Sequence, residues 1–254
     1  LLLKRLWPRY KLKKLKLINL KIIYYYVEIK NKLINNEVYC RVKDYSKEKH
    51  RVLTYFEIGK LLHENNVRVM CGHSDACYND LDENVDGFTH LFNAMRGMHH
   101  RDITLVNAAF MNKGFYCELI ADGCHIERNV LKLVINNIDK DRIVLVSDSS
   151  TARGLEDGEH IFLSKPCTKK GIVFKTHDGH FAGSVVSIND EMKVLRELGA
   201  KYTDLLAYSS LNAFRLYGLD SRFGTLEKGK YADIVIMDDD LNIKKVYCQG
   251  KFVE

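Results

Sequence analysis

The chain is short of several features that would assign it to a class at once. No apolar run reaches the roughly 18 residues of a membrane-spanning helix, so no membrane partner is expected from its 254 residues. There is no Cys-x-x-Cys pair, and the seven cysteines (Cys40, Cys71, Cys77, Cys117, Cys124, Cys167, Cys248) are odd in number. A disulfide framework or a paired-cysteine zinc site is therefore not indicated; reduced, mostly buried thiols and a cytoplasmic location are expected. Internal repeats are absent, and residues 1–36 contain no glycine.

What remains is ordinary for a globular protein, 46% hydrophobic and 28% charged, long enough for one α/β barrel or two smaller domains. The net charge of +6 is uneven: residues 1–40 carry ten Lys and Arg against Glu28 and Glu37, so the rest of the chain sums to −2. Residues 1–36 are largely Leu, Ile, Lys, Tyr and Asn without a sustained period. A basic arm, a targeting peptide without a clear cleavage site, and an out-of-frame translation of AT-rich DNA all fit this segment. Nucleic-acid binding by it is not expected.

From about residue 50 the pattern is regular. A helix is predicted over 53–65, a strand over 67–71, and a short polar helix or turn over 75–84, with a strand then ending near His90. A helix near 104–110 and a strand over 115–121 follow, then a helix over 127–136 with Val130, Leu131, Leu133 and Val134 inward, and a strand over 143–147. This βαβα alternation implies a parallel sheet with right-handed crossovers. Residues 152–180 read as loop and short strand, 187–198 and 203–217 as helices, and the last thirty residues as strands with tight turns.

Three residues stand where apolar runs give way to small polar ones: His73 after Val69–Gly72, His90 in Thr89–Met95, and Asp148 after Ile143–Ser147. In a parallel α/β barrel this is the catalytic edge of the sheet. Two imidazoles and a carboxylate there suit a divalent metal and an activated water, hence metal-assisted hydrolysis. The plainer alternatives are a hydrogen-bonding histidine, a capping aspartate and, at Arg101, a surface charge.

In their order along the chain, Gly72-His73-Ser74-Asp75-Ala76, Thr89-His90-Leu91-Phe92-Asn93-Ala94-Met95, His99-His100-Arg101, Ala121-Asp122-Gly123-Cys124-His125, Val146-Ser147-Asp148 and Ala182-Gly183-Ser184 resemble the N-acetylglucosamine-6-phosphate deacetylases. These are a branch of the amidohydrolase superfamily, whose wider members share the run Gly224–Asp233. The resemblance covers roughly residues 65–254. It implies the C-terminal half of a (β/α)8 barrel, strands 5–8 with their following helices, plus part of a small β-sandwich. The corresponding divisions are a non-matching segment 1–45, a partial barrel 46–218 and sandwich strands 219–254.

The resemblance also implies one divalent metal ion, zinc or iron, on His73 and His90, with Asp148 as general base and then acid. Asn93, Ala94, Arg101, the turn Asp122, Gly123, Cys124 and His125, and the loop Phe181, Ala182 and Gly183 would contact an amino-sugar phosphate. The implied reaction converts N-acetylglucosamine 6-phosphate to glucosamine 6-phosphate and acetate, in a homodimer. The chain departs from the family in three ways. It lacks the His-Leu-Glu-Gly-Pro-Phe motif with its metal-ligand glutamate, the His-x-His pair of the first barrel strand, and a few residues between His73 and His90, which are 17 apart. A catalytically incompetent truncated deacetylase is accordingly the alternative reading.

Overall fold

The computed structural model describes residues 58–81 and 83–253. The basic segment, Glu28, Glu37 and the first residues of the predicted helix 53–65 lie outside them. Residues 58–64 are helical (α1), and the amide of Val67 returns to Leu62 O at 3.0 Å. Residues Arg68–Glu254 form a separate compact unit.

That unit is built on a four-stranded parallel sheet in the order β1-β2-β3-β4: Met70–Cys71, Gly87–Phe88, Tyr116–Leu119 and Ile143–Leu145. Helix α2 (Leu105–Met111) makes the crossover from β2 to β3, and α3 (Arg128–Asn137) that from β3 to β4. Among the described residues, the helical structure between β1 and β2 is a 3-10 turn, Tyr78–Asp80. Phe88, Cys117, Leu119, Ile143 and Leu145 pack with Leu105, Val106, Leu131 and Val134 as one core. Burial on both faces explains why these strands read as continuous apolar runs.

Helix α2 starts at Thr104, whose hydroxyl accepts from Asn107 N while the Asn107 side chain returns to the Thr104 amide. In α3, Leu131 and Val134 face the core, but Leu133 is 48% exposed. This corrects the inward assignment of Leu133, which lies on the solvent side of the turn that Leu131 and Val134 bury.

One buried cation ties these layers together. Arg142, just before β4, is 7% exposed and donates from Nη1 to Asn112 O and Phe115 O, both at 2.8 Å, and to Ala109 O at 3.3 Å. Its guanidinium thus reaches carbonyls at the end of α2 and just before β3 at once. Arg142→Met keeps the apolar stem and leaves those acceptors bare; a loss of about 2–4 kcal/mol is expected by urea denaturation.

After Asp148 the chain forms an antiparallel meander, β5 (Gly158–Phe162), β6 (Lys165–Lys170) and β7 (Val173–Thr176). Residues 152–180 are thus more regular than loop and short strand. Their few inward residues, chiefly Cys167 and Phe174, sit among lysines and threonines, so no clear alternation marks them in the sequence. Helices α4 (Ile188–Glu197), α5 (Tyr202–Leu206) and α6 (Asn212–Leu216) follow, the last two joined by a π turn, Ala207–Leu211. Strands β8 (Ile234–Met237), β9 (Ile243–Cys248) and β10 (Lys251–Val253) close the chain as an antiparallel sheet in the order β10-β9-β8. Asp233 accepts from Gln249 N at 2.7 Å and so fixes the β9–β10 turn.

Candidate functional site

The C-terminal edge of the parallel sheet carries most of the residues singled out from sequence. His73 follows β1 and His90 follows β2, and both have left-handed backbones, φ 48° and 33°. Asp148 after β4 does the same at φ 42°. Such values are uncommon outside glycine, and clustered outliers at one sheet edge point to function. The His73 and His90 rings meet edge to face with centroids 4.7 Å apart. His73 is exposed, whereas His90 Nδ1 is buried without a hydrogen-bond partner.

Gly72 permits this approach. A Cβ there would collide with Thr89 Cγ2 and lie 3.2 Å from His90 Cε1. Gly72→Ala is therefore expected to cost about 1–3 kcal/mol through overpacking and to displace the His90 ring. Thermal unfolding measures the first effect, and the imidazole NMR shifts of His90 the second.

The loop after β2 is pinned from within. Leu91 is buried with its amide on Glu118 O at 2.8 Å, and Asn93 donates to His90 O from both N (3.0 Å) and Nδ2 (3.1 Å). Phe92 and Ala94 are left-handed, φ 78° and 50°, and Ala94 is exposed. Arg101 is exposed in a loop organised by His99, whose Nδ1 accepts from Arg101 N and Asp102 N at 3.3 and 3.2 Å. His99 is thus a loop-forming acceptor at that nitrogen.

The turn after β3 is the most enclosed part. Asp122 Oδ1 accepts from Cys124 N and His125 N, both at 2.8 Å, and Oδ2 meets His125 Nδ1 at 2.7 Å. Burial pushes the Asp122 carboxyl up, but the His125 ring and the two amides outweigh it and hold the group below its ordinary value. An ionised Asp122 requires His125 Nδ1 to carry the hydrogen. Nε2 of that ring is buried and has no partner. Phe181 covers the imidazole at 4.1 Å between centroids, and Lys175 Nζ lies 4.4 Å over Phe181.

Asp148 itself is exposed, yet its backbone is laced to the next loop: its carbonyl accepts from Ser184 N at 2.9 Å, and Ser150 N donates to Ser184 O at 2.8 Å. Gly183, at φ 80°, makes this possible, since a Cβ there would stand 2.9 Å from Asp148 O. The folded chain thus joins His73 to His90, Asp122 to His125 and Phe181, and the Ala182–Ser184 loop to the Asp148 backbone. No three His, Cys, Asp or Glu side chains come together as a metal site among the described residues. The two imidazoles fit part of a divalent-cation coordination shell, with the orphaned His90 nitrogen as available donor.

One residue at this edge was missed. Glu191 on α4 is fully buried, and its only sequence signal is an acid at the spacing of the buried stripe that includes Met192 and Leu195.

Residues 56–253 match the Amidohydrolase family, and the chain belongs to it. Among individual relatives, an N-acetylgalactosamine-6-phosphate deacetylase of Escherichia coli O157:H7 is 34% identical over 195 residues, 75% of this chain and 52% of that protein. An N-acetylglucosamine-6-phosphate deacetylase of Bacillus subtilis (strain 168) is 32% identical over 201 residues, 77% of this chain and 51% of the relative. The crystal structure of an N-acetylglucosamine-6-phosphate deacetylase from Thermotoga maritima superposes with a TM-score of 0.73 at 33% identity, over 77% of this chain and 55% of that one. The chain spans about half the length of these two relatives. The parallel sheet is accordingly part of an amidohydrolase barrel. No helix among the described residues is long and apolar enough to cross a membrane.

Proposed function

We propose that the chain hydrolyses the acetamide of an N-acetylhexosamine 6-phosphate, N-acetylglucosamine 6-phosphate first, releasing acetate and the free amino sugar. The observation that carries this reading is the meeting of His73 and His90, 4.7 Å between centroids, at the ends of adjacent parallel strands. In this reading these two histidines hold a divalent cation, zinc or iron, which supplies Lewis-acid stabilisation of the charge that develops on the acetamide oxygen. Asp148 takes the proton of the attacking water and passes it to the departing amine nitrogen. The Asp122–His125 turn receives a sugar hydroxyl, Asn93 and Ala94 shape the pocket after β2, and Arg101 offers a planar fork to phosphate. A cytoplasmic location goes with this reading and is supported by the six cysteines that are free in the described residues. So does a homodimer, which light scattering checks.

The second reading, a remnant without turnover, is favoured by the lack of a third metal-ligating side chain beside the histidines among the described residues, because a catalytic zinc usually has three protein ligands. Metal content and acetate release decide between them. The chain is loaded with zinc or ferrous iron and given the 6-phosphates of N-acetylglucosamine and N-acetylgalactosamine. Near-stoichiometric metal with acetate release is expected. A folded chain that takes up no metal and releases no acetate from either epimer overturns the enzyme reading.

A further inference from the structure

Asn107 does more than close the first turn of α2. Its side chain reaches back eight residues and holds both backbone groups of His99: Oδ1 accepts from His99 N and Nδ2 donates to His99 O, each at 3.1 Å. Among the described residues no other hydrogen bond reaches the His99 backbone. The same Oδ1 accepts from Thr104 N at 3.1 Å and from the Thr104 hydroxyl at 2.8 Å. One carboxamide therefore fastens the loop 99–104 at both ends. Asparagine suits both tasks, with an acceptor oxygen and N–H donors on one short side chain.

Held this way, His99 passes the constraint on to Arg101, because its Nδ1 accepts from Arg101 N at 3.3 Å and from Asp102 N at 3.2 Å. The far end of the loop rests on the segment after β1: Thr104 is buried and bridges Cys77, and Tyr78 N donates to Ile103 O at 2.8 Å. The remaining tie, Arg96 Nη2 to Asp102 Oδ2 at 2.8 Å, joins two side chains open to water and contributes little. Arg101 itself is exposed and forms no ion pair among the described residues. We propose that Asn107 is a positioning residue for phosphate recognition: by fixing His99 it holds the loop that presents the Arg101 guanidinium to a phosphate monoester. Ordering a free loop counts against binding, so a loop ordered beforehand binds its anion more tightly.

The role of Asn107 rests on the reading of Arg101 as a phosphate-binding side chain. The test titrates inorganic phosphate into the whole chain and follows the Nε 15N resonance of Arg101, assigned through Arg101→Lys. Asn107→Ala is expected to weaken phosphate about tenfold. Thr104→Val removes the hydroxyl that caps α2 but leaves both bonds to His99. It is expected to lower thermal stability and to leave the phosphate midpoint in place. An unchanged midpoint in Asn107→Ala, or equal weakening in both variants, overturns the positioning role. If either variant does not fold, the wild type gives a second reading. Its Asn107 Nδ2 signal is expected to shift with the same phosphate midpoint as Arg101, and a signal that stays still overturns the proposal. A wild-type Arg101 that ignores phosphate removes the phosphate reading itself, and the proposal with it. Acetate release enters none of these measurements, so absent deacetylation leaves them unaffected.

Discussion

Replacing Asp148 by Asn is expected to lower acetate release at least a hundredfold, with thermal unfolding unchanged within a degree or so. The size follows from the role assigned to the carboxylate. General acid–base groups contribute about 10²–10⁴-fold, and even the lower limit is close to 2.7 kcal/mol of barrier. Stability should not follow, because Asp148 is exposed and its ties to Ser184 run through the backbone. Asn is also among the few residues that tolerate the left-handed region, so the φ of 42° is kept. Asp148→Val would confound the two effects, since a β-branched residue is strained there. Steady-state rates with saturating substrate, beside a melting curve, separate the outcomes. Equal rates in variant and wild type remove Asp148 from the chemistry.

The features that were legible in the sequence are those fixed by local chemistry. Leu131 and Val134 lie three apart in a helix, and His73, His90 and Asp148 each stand where an apolar strand stops. Position after a strand is enough to bring such residues to one edge of a parallel sheet. Contacts between segments were less legible. The sequence around His73 predicts a strand over 67–71, but pairing with β2 is confined to Met70 and Cys71, so apolar content overstated the ladder. Leu133 reads as a core residue because it is apolar and adjoins Val134, although neighbouring helix positions point in different directions. The meander β5–β7 was hidden by its surface lysines. Glu191 was the hardest to see: an acid in a helix ordinarily marks the solvated face, and only the packing of α4 against the β3 end reveals that this one is enclosed.

That enclosure has a consequence for stability. Between the ordinary glutamate value of 4.5 and about 9, the folded chain holds a proton on Glu191 that the unfolded chain has released. The folded state therefore binds more protons, and stability must fall as pH rises across this window, by about 1.4 kcal/mol per unit. At pH 7 the accumulated cost is about 3 kcal/mol relative to the acid side of the window, and above pH 9 the curve levels off. Asp122 acts in the opposite sense and elsewhere: its lowered carboxyl contributes stability at neutral pH that is lost on acidification below its ordinary value of 3.8. The two slopes are thus separable. Glu191→Gln keeps the volume, carries no titrating proton and removes the first slope alone. Urea denaturation at intervals from about pH 5 to about pH 9 should show the wild type losing midpoint steadily while the variant stays level. Parallel curves would mean that Glu191 reaches water or a cation in solution, and the neutral carboxyl behind Asp122 would have to be abandoned.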